Sequence, residues 1–235
     1  EYPVVLPEYI NKKNKKINPY VFIDNLFNLL NKDDVIITGN GSACVMTFQA
    51  AKIKQGQRLY TNSGSASMGY DLPASIGAAI AMKGKRVICL AGDGSLMMNL
   101  QELQTMKGYN LPIKVFILNN DGYVSIKQTQ EAYFSDNVIG VGPKSGVTMP
   151  DFTKLGKALN ISSIRVTNLS ELSSTNFLEL LNNDQSGIFE IVIDPDQGFA
   201  PKLTSRKLDD GTMVSPSLQD MSPFLDEDEL AKNIL

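Results

Sequence analysis

The chain has 235 residues, of which 43% are hydrophobic, 8% aromatic and 20% charged, with a formal net charge of −3. That composition supplies core material for one substantial globular domain and carries no bias toward nucleic acid or an anionic membrane. The absence of histidine excludes Ser-His-Asp and Cys-His triads and any His-ligated metal, and no apolar run approaches the ~20 residues that span a bilayer.

Residues 1–18 mix Pro, Asn and Lys with few periodic apolar positions and read as a linker entering from a preceding domain. Its basic run "NKKNKK" (11–16) has no interleaved aromatics and reads as solvated. A helix is predicted from Pro19, with Asn18 as cap and Val21, Phe22, Leu26, Leu29 and Leu30 at helical spacing. Short apolar runs then alternate with helical patterns. Strands are expected at 35–38, 58–61, 86–92 and 113–120, each followed by a helix, at 43–51, 71–83, 96–106 and 123–130. Further on, 151–159 reads as a helix, 163–166 as a strand, 169–183 as a helix and 188–194 as a strand. Runs that are apolar at every position belong to strands buried on both faces. The alternation therefore predicts an α/β fold, a doubly wound, mostly parallel sheet with helices on both faces. The domain is expected over 19–200, with a Pro-, Asp- and Ser-rich tail, 201–235, packed on its surface.

In doubly wound sheets ligands collect where strand ends enter helices. Three such ends carry unusual residues: "TGNGSA" (38–43), "AGDGS" (91–95) and "LNNDGY" (118–123). Their glycines permit close backbone approach, and N–H groups at a following helix favour a phosphate. Asp93 lies among these groups, and a carboxylate beside a phosphate is repulsive unless a divalent cation sits between them. Mg²⁺ takes six oxygens, commonly one or two from protein and the rest from phosphate and water. The Asn120 amide, the Gly122 carbonyl and the Asp121 carboxylate are the further oxygens on offer. "GDGS" alone also fits a capped turn and "NN" alone a strand-end turn; their joint occurrence, one helix and one strand apart, favours the cation. No P-loop pattern is present, and "GNGSAC" lacks the third glycine and the acidic partner of a dinucleotide site.

"GDGS" followed by "LNN" at this distance resembles the thiamine diphosphate motif. The stretch 39–81, the segment "LNNDGYVSIKQTQ" and the closing 201–225 are similar to the C-terminal diphosphate-binding domain of acetolactate synthase-like enzymes. The resemblance implies that Asp93 and Asn120 ligate Mg²⁺ through side chains and Gly122 through its carbonyl. It implies diphosphate contacts from Asn40, Gly41 and Ser42, from Gly92, Gly94 and Ser95, and from Tyr123, Val124 and Ser125. Met68 would be the apolar wedge under thiamine diphosphate, and the Ala66 carbonyl would accept from its 4′-amine. The implied chemistry is decarboxylation of a 2-oxo acid, then protonation or addition to a second carbonyl in another 2-oxo acid or a keto-sugar.

Two departures qualify that picture. The activating glutamate of the family comes from a separate pyrimidine-binding domain, and nothing here matches it. Ile126 stands where pyruvate decarboxylases carry a glutamate, which favours carboligation over proton quench. The expected partners are that pyrimidine domain, elsewhere in the gene or on another subunit, and a homodimeric or tetrameric assembly. The full-length protein could also carry FAD, as relatives do. An alternative is a non-catalytic or subunit-type binding module that retains the fold; a nucleotide-dependent oxidoreductase is a more distant one. The chain begins with Glu rather than Met, as a processed form or a piece of a longer chain would. Cys44 and Cys89 lie in apolar stretches without disulfide or zinc spacing, which points to a reducing cytoplasm.

Overall fold

The computed structural model describes residues 3–10, 16–134, 137–207 and 210–234. The apolar runs become strands β1 (Val35–Thr38), β2 (Arg58–Thr61), β3 (Val87–Gly92), β4 (Ile113–Asn119), β5 (Ser162–Val166) and β6 (Gly187–Val192). All pair in parallel, in the order β2-β1-β3-β4-β6-β5. The predominantly apolar strands β1, β3, β4 and β6 are interior and buried, whereas the mixed "RLYT" and "SSIRV" are the two edges and partly exposed. Composition thus decides which strands can stand at an edge.

Successive side chains alternate between the two faces. On one face Val35, Ile37, Cys89, Val115 and Ile117 pack with Leu72 of α4 (Asp71–Ala81), Leu103 and Met106 of α6 (Glu102–Gly108) and Phe152 of α8 (Phe152–Ala158). On the other, Phe116 stacks on Phe189 at 4.5 Å between ring centroids. Phe22 of α2 (Pro19–Leu29) and Phe177 of α9 (Thr175–Asn182) close this cluster at 6.1 and 5.0 Å. The sheet is therefore doubly wound, with helices on both faces. The cap at Asn18 also forms as expected, its side chain accepting from the N–H groups of Tyr20 and Val21 at 2.9 and 3.3 Å.

Three segments differ from expectation. The helix predicted over 96–106 is interrupted: α5 (Asp93–Leu96) passes into a 3₁₀ turn, Met97–Asn99, before α6. The backbone stays right-handed throughout, but Leu103 and Gln104 bond three residues back, to Leu100 and Gln101. The Asn99 side chain is drawn off the helix to the Gly69 carbonyl at 2.7 Å. The helix predicted over 169–183 is a 3₁₀ turn, Leu169–Ser173, followed by α9. Ser174 is extended between them and caps Phe177 instead of continuing the helix, as a serine hydroxyl competing for backbone groups tends to do.

The end of the segment read as a linker is also structured. It includes the single turn α1 (Pro7–Ile10), and Ile17, 3% exposed, forms a parallel bridge with Ile193. Of the basic run 11–16 only Lys16 is described, and it is exposed; 11–15 lie outside the described residues.

Residues Val5–Gln197 make up this sheet unit, and Gly198–Leu235 with Glu1–Val4 make a second. The second contains the antiparallel ribbon of β7 (Arg206–Lys207) and β8 (Met213–Val214), a bridge between Lys202 and Ser222, and α10 (Glu227–Asn233) capped by Asp226.

Two charged side chains lie fully buried in the sheet, Lys114 and Glu190. The Lys114 ammonium donates to Asn183 Oδ1 at 2.8 Å and to the Gln185 carbonyl at 2.5 Å. Burial, and then the charge of Arg86, push it down to about 8, with Asp184 opposing.

Phe116→Ala removes the ring at the centre of the aromatic cluster and should cost about 3–5 kcal/mol in urea unfolding. Lys114 predicts a pH effect. The unfolded chain releases this proton near 10.5 and the folded chain near 8. Between those values the unfolded state binds more protons, so the Lys114 contribution to stability rises with pH, by up to about 1.4 kcal/mol per unit. In Lys114→Met, stability relative to wild type should be greatest below pH 8 and shrink toward pH 10.5, on top of a constant offset from the two lost hydrogen bonds. A pH-independent difference in urea midpoint refutes this.

Candidate functional site

The chain leaves β1 toward β2 on one side of the sheet and leaves β3 toward β4 on the other. Adjacent loops diverge at such a switch and open a crevice at the carboxyl ends of the strands. A cavity of about 290 Å³ lies there. The loop after β1 lines it with Asn40, Gly41 and Ser42, and the loop after β2 with Ala66 and Met68. Gly92, Asp93, Gly94 and Ser95 line it from β3, and Asn120, Gly122, Tyr123 and Ser125 from β4. Of the residues to which the family resemblance assigns a role, Val124 is off the lining; it is buried at the start of α7 (Val124–Tyr133). Asp121, a further oxygen donor on sequence grounds, is exposed and also off the lining.

Asp93 is 1% exposed. Its Oδ1 accepts from the Gly94 N–H at 2.8 Å and its Oδ2 from the Gly122 N–H at 3.0 Å. Burial raises this carboxyl to about 6 despite those bonds, which favour the ionised form. Asn120 presents the opposite condition: its Oδ1 is buried and accepts no hydrogen bond. An unsatisfied buried acceptor costs about 1–3 kcal/mol, so it calls for a donor or a cation. Among the described residues no group of three or more His, Cys, Asp or Glu is assembled. The donor set here is one carboxylate, one amide oxygen and backbone carbonyls, all hard oxygens. Such a set suits a cation of the Mg²⁺ type that takes its remaining ligands from phosphate and water.

Ala66 adopts a left-handed conformation, φ 49°, uncommon for a residue with a Cβ, and its carbonyl accepts from Asn40 Nδ2 at 3.2 Å. Met68 is 37% exposed on the lining, and Ile126, also on it, is 44% exposed. These two are the larger aliphatic side chains on the lining.

Asp71 is a structural member of the site that pattern reading missed, because it looked like the start of a helix. It is fully buried, and burial raises its carboxyl above the ordinary range. Its Oδ1 accepts from the Leu72 N–H at 3.0 Å and its Oδ2 from the Ser95 hydroxyl at 2.5 Å. Ser95 Oγ in turn accepts from the Gly69 N–H at 2.9 Å. A Cβ on Gly39 would stand 2.2 Å from Asp71 Oδ2, so only glycine lets the first loop lie against this carboxyl. Asp71 thus connects the loops after β1, β2 and β3. An acid within the apolar stretch "GYDLPASIG" was the available signal.

Packing at two glycines gives an order of sensitivity. A Cβ on Gly122 would sit 2.1 Å from the Val141 carbonyl oxygen, at a φ of +143°. One on Gly94 would sit 2.3 Å from Tyr123 Cε1, a side chain able to move. At Gly64 it would meet nothing within 4 Å. Gly122→Ala should therefore be the most destabilising in urea unfolding, Gly94→Ala should cost about 1–3 kcal/mol, and Gly64→Ala should stay near zero. Any other order contradicts this packing.

Residues 39–190 match the family described as "Thiamine pyrophosphate enzyme, C-terminal TPP binding domain". Acetolactate synthase 2, chloroplastic, of Zea mays is 31% identical over 196 residues, which cover 82% of this chain and 31% of that protein. The acetolactate synthase large subunit of Cyanidium caldarium is 36% identical over 174 residues, 74% of this chain and 28% of that one. The chain therefore spans about a third of the length of the curated relatives it matches. Among solved structures, the thiamine diphosphate-dependent 4-hydroxybenzoylformate decarboxylase of Rhodococcus jostii RHA1 superposes with a TM-score of 0.68 at 19% identity, and shares the fold. That match covers 83% of this chain and 34% of the decarboxylase. No helix among the described residues is long and apolar enough to cross a membrane. A sheet switch point lined by "GDGS" and "NN", and a family match that spans both, lead to one conclusion: the chain belongs to the thiamine pyrophosphate enzymes and carries their C-terminal cofactor-binding domain in its acetolactate synthase-like form.

Proposed function

We propose that this domain holds thiamine diphosphate and Mg²⁺ in the cavity at the ends of β1, β3 and β4, and serves a 2-oxo acid decarboxylase/carboligase of the acetolactate synthase-like kind. The observation that carries the reading is that the buried Asp93 carboxylate and Asn120, with its unpartnered Oδ1, line the same cavity. In this reading Asp93, Asn120 and the Gly122 carbonyl hold the cation, which then screens the carboxylate from the diphosphate.

Asn40, Gly41 and Ser42, with Gly92, Gly94 and N–H groups near Tyr123, Val124 and Ser125, hold the diphosphate. Ser95 contributes through its backbone, since its hydroxyl already donates to Asp71 and accepts from Gly69. When bound, thiamine diphosphate supplies the carbanion chemistry at the 2-oxo acid carbonyl, and the protein supplies orientation and electrostatics. Met68 wedges the cofactor, and the Ala66 carbonyl accepts from its amine once Asn40 yields that position. Ile126 offers no proton at the cavity mouth, which supports addition to a second carbonyl, of a 2-oxo acid or a keto-sugar, over proton quench.

Activation requires a pyrimidine-binding domain with its glutamate, from elsewhere in the gene or from a partner subunit of a dimer or tetramer; FAD belongs to such other domains. Two free buried cysteines, Cys44 and Cys89, suit a reducing compartment such as the cytoplasm.

The test uses the protein expressed from its complete gene, with pyruvate as the probe acid. CO₂ release should require thiamine diphosphate and Mg²⁺. Asp93→Ala should abolish it and weaken cofactor binding in calorimetry by more than the ~10–100-fold that follows loss of an outer-shell group. An Asp93→Ala protein with unchanged binding and turnover sinks the proposal. Cofactor binding without turnover on any 2-oxo acid tried transfers the reading to a non-catalytic binding module.

A further inference from the structure

Glu190 is fully buried on β6, outside the cavity lining, and bonds to two elements at once. Arg165 on the edge strand β5 meets it in two parallel bonds, Nε to Oε2 at 3.0 Å and Nη2 to Oε1 at 2.9 Å. Those bonds account for how the carboxylate tolerates burial. They do not account for its third bond, in which Oε1 accepts from Asn119 Nδ2 at 2.7 Å.

Asn119 is the last residue of β4, immediately before Asn120. With its amide nitrogen committed to Glu190, its Oδ1 accepts from the Asp121 N–H at 2.9 Å and closes a side-chain turn across Asn120. The orientation of this amide is dictated by chemistry: a carboxylate held by arginine accepts only, and a backbone N–H donates only. The far end of the same turn is fixed by the Gly122 N–H on Asp93. Between the two clamps Asp121 is held at φ 66°, a conformation residues with a Cβ seldom adopt unless their surroundings impose it. Asn120, with its unpartnered Oδ1, lies inside the clamped segment.

We infer that Glu190, acting through Asn119, is a positioning residue for the cation-binding turn, held in place by Arg165 from the sheet edge. The inference rests on the proposed function, because the cation is what the turn is positioned for. Loss of the Asn119 link frees one end of the turn while Asp93 retains the other, so the cation ligands lose their alignment without loss of the core. A purely structural Glu190 would behave differently: its removal would lower thermal stability and leave the cation affinity of the folded protein unchanged.

The test is Mn²⁺ binding, read by electron paramagnetic resonance with thiamine diphosphate present, in the protein from its complete gene. Wild type, Asn119→Ala, Glu190→Gln and the double variant are compared, with thermal midpoints measured in parallel. Asn119→Ala removes no charge and should remain folded even if Glu190→Gln does not. Asn119→Ala should weaken Mn²⁺ binding about 10–100-fold. Glu190→Gln should shift it in the same direction, and the double variant should be no weaker than Asn119→Ala alone, because both act through one chain of bonds. Folded variants with Mn²⁺ affinity within about twofold of wild type overturn the inference while the proposed function stands. Wild-type protein that takes up no Mn²⁺ with thiamine diphosphate overturns the proposed function, and this inference with it.

Discussion

Two backbone N–H groups, from Gly94 and Gly122, converge on the two oxygens of Asp93 and tie the end of β3 to the end of β4. The rest of the cavity depends on that contact. Parallel strands end in loops that would otherwise diverge, and at the switch between β1 and β3 they do diverge, which opens the space. A carboxylate placed there does two things. It satisfies N–H groups that no strand or helix uses, and it concentrates negative charge in a poorly solvated place. The first stabilises the loops; the second raises the carboxyl to about 6 and makes the spot receptive to a cation.

Around this contact lies a supporting layer of buried acids, each with its own task. Asp71, through Ser95 and its approach to Gly39, joins the loops after β1, β2 and β3 from beneath. Glu190, through Asn119, steadies the turn after β4 from the side. Both are fully buried, and each is hydrogen-bonded at both carboxylate oxygens. Removal of one partner would strand a charge in the interior, a larger penalty than the intact arrangement gains. Buried polar groups of this kind favour one loop geometry over the alternatives more than they add to stability.

Much of this was legible in the sequence because it rests on local chemistry. Largely apolar runs marked β1, β3, β4 and β6 as strands buried on both faces, whereas the edge positions of "RLYT" and "SSIRV" emerged only in the fold. "GDGS" and "LNN" marked the strand ends where a ligand would sit, and thirteen of the site residues named from the sequence line one cavity, while Val124 and Asp121 do not. Val124 is buried at the start of α7, and Asp121 is exposed. The failures had a common cause. The helices expected over 96–106 and 169–183 are interrupted where a polar side chain found a better partner than solvent: Asn99 the Gly69 carbonyl, Ser174 the Phe177 N–H. Periodicity records apolar spacing and is blind to such partners.

Sequence alone therefore determined the fold class, the identity of the loops that carry chemistry and the class of ligand they suit, since each follows from residue types and their spacing along the chain. Tertiary structure alone decided that Asp93 receives an N–H from a loop 29 residues away. It alone decided that Asp71 lies beneath the site rather than on a helix surface, and that Glu190 reaches Asn119 across 71 residues. The physical reason is that burial and hydrogen-bond partnership are properties of neighbours in space. A carboxylate with a Gly on either side reads the same in the sequence whether it faces solvent or lies buried beneath two N–H groups, and only the groups packed around it distinguish the two.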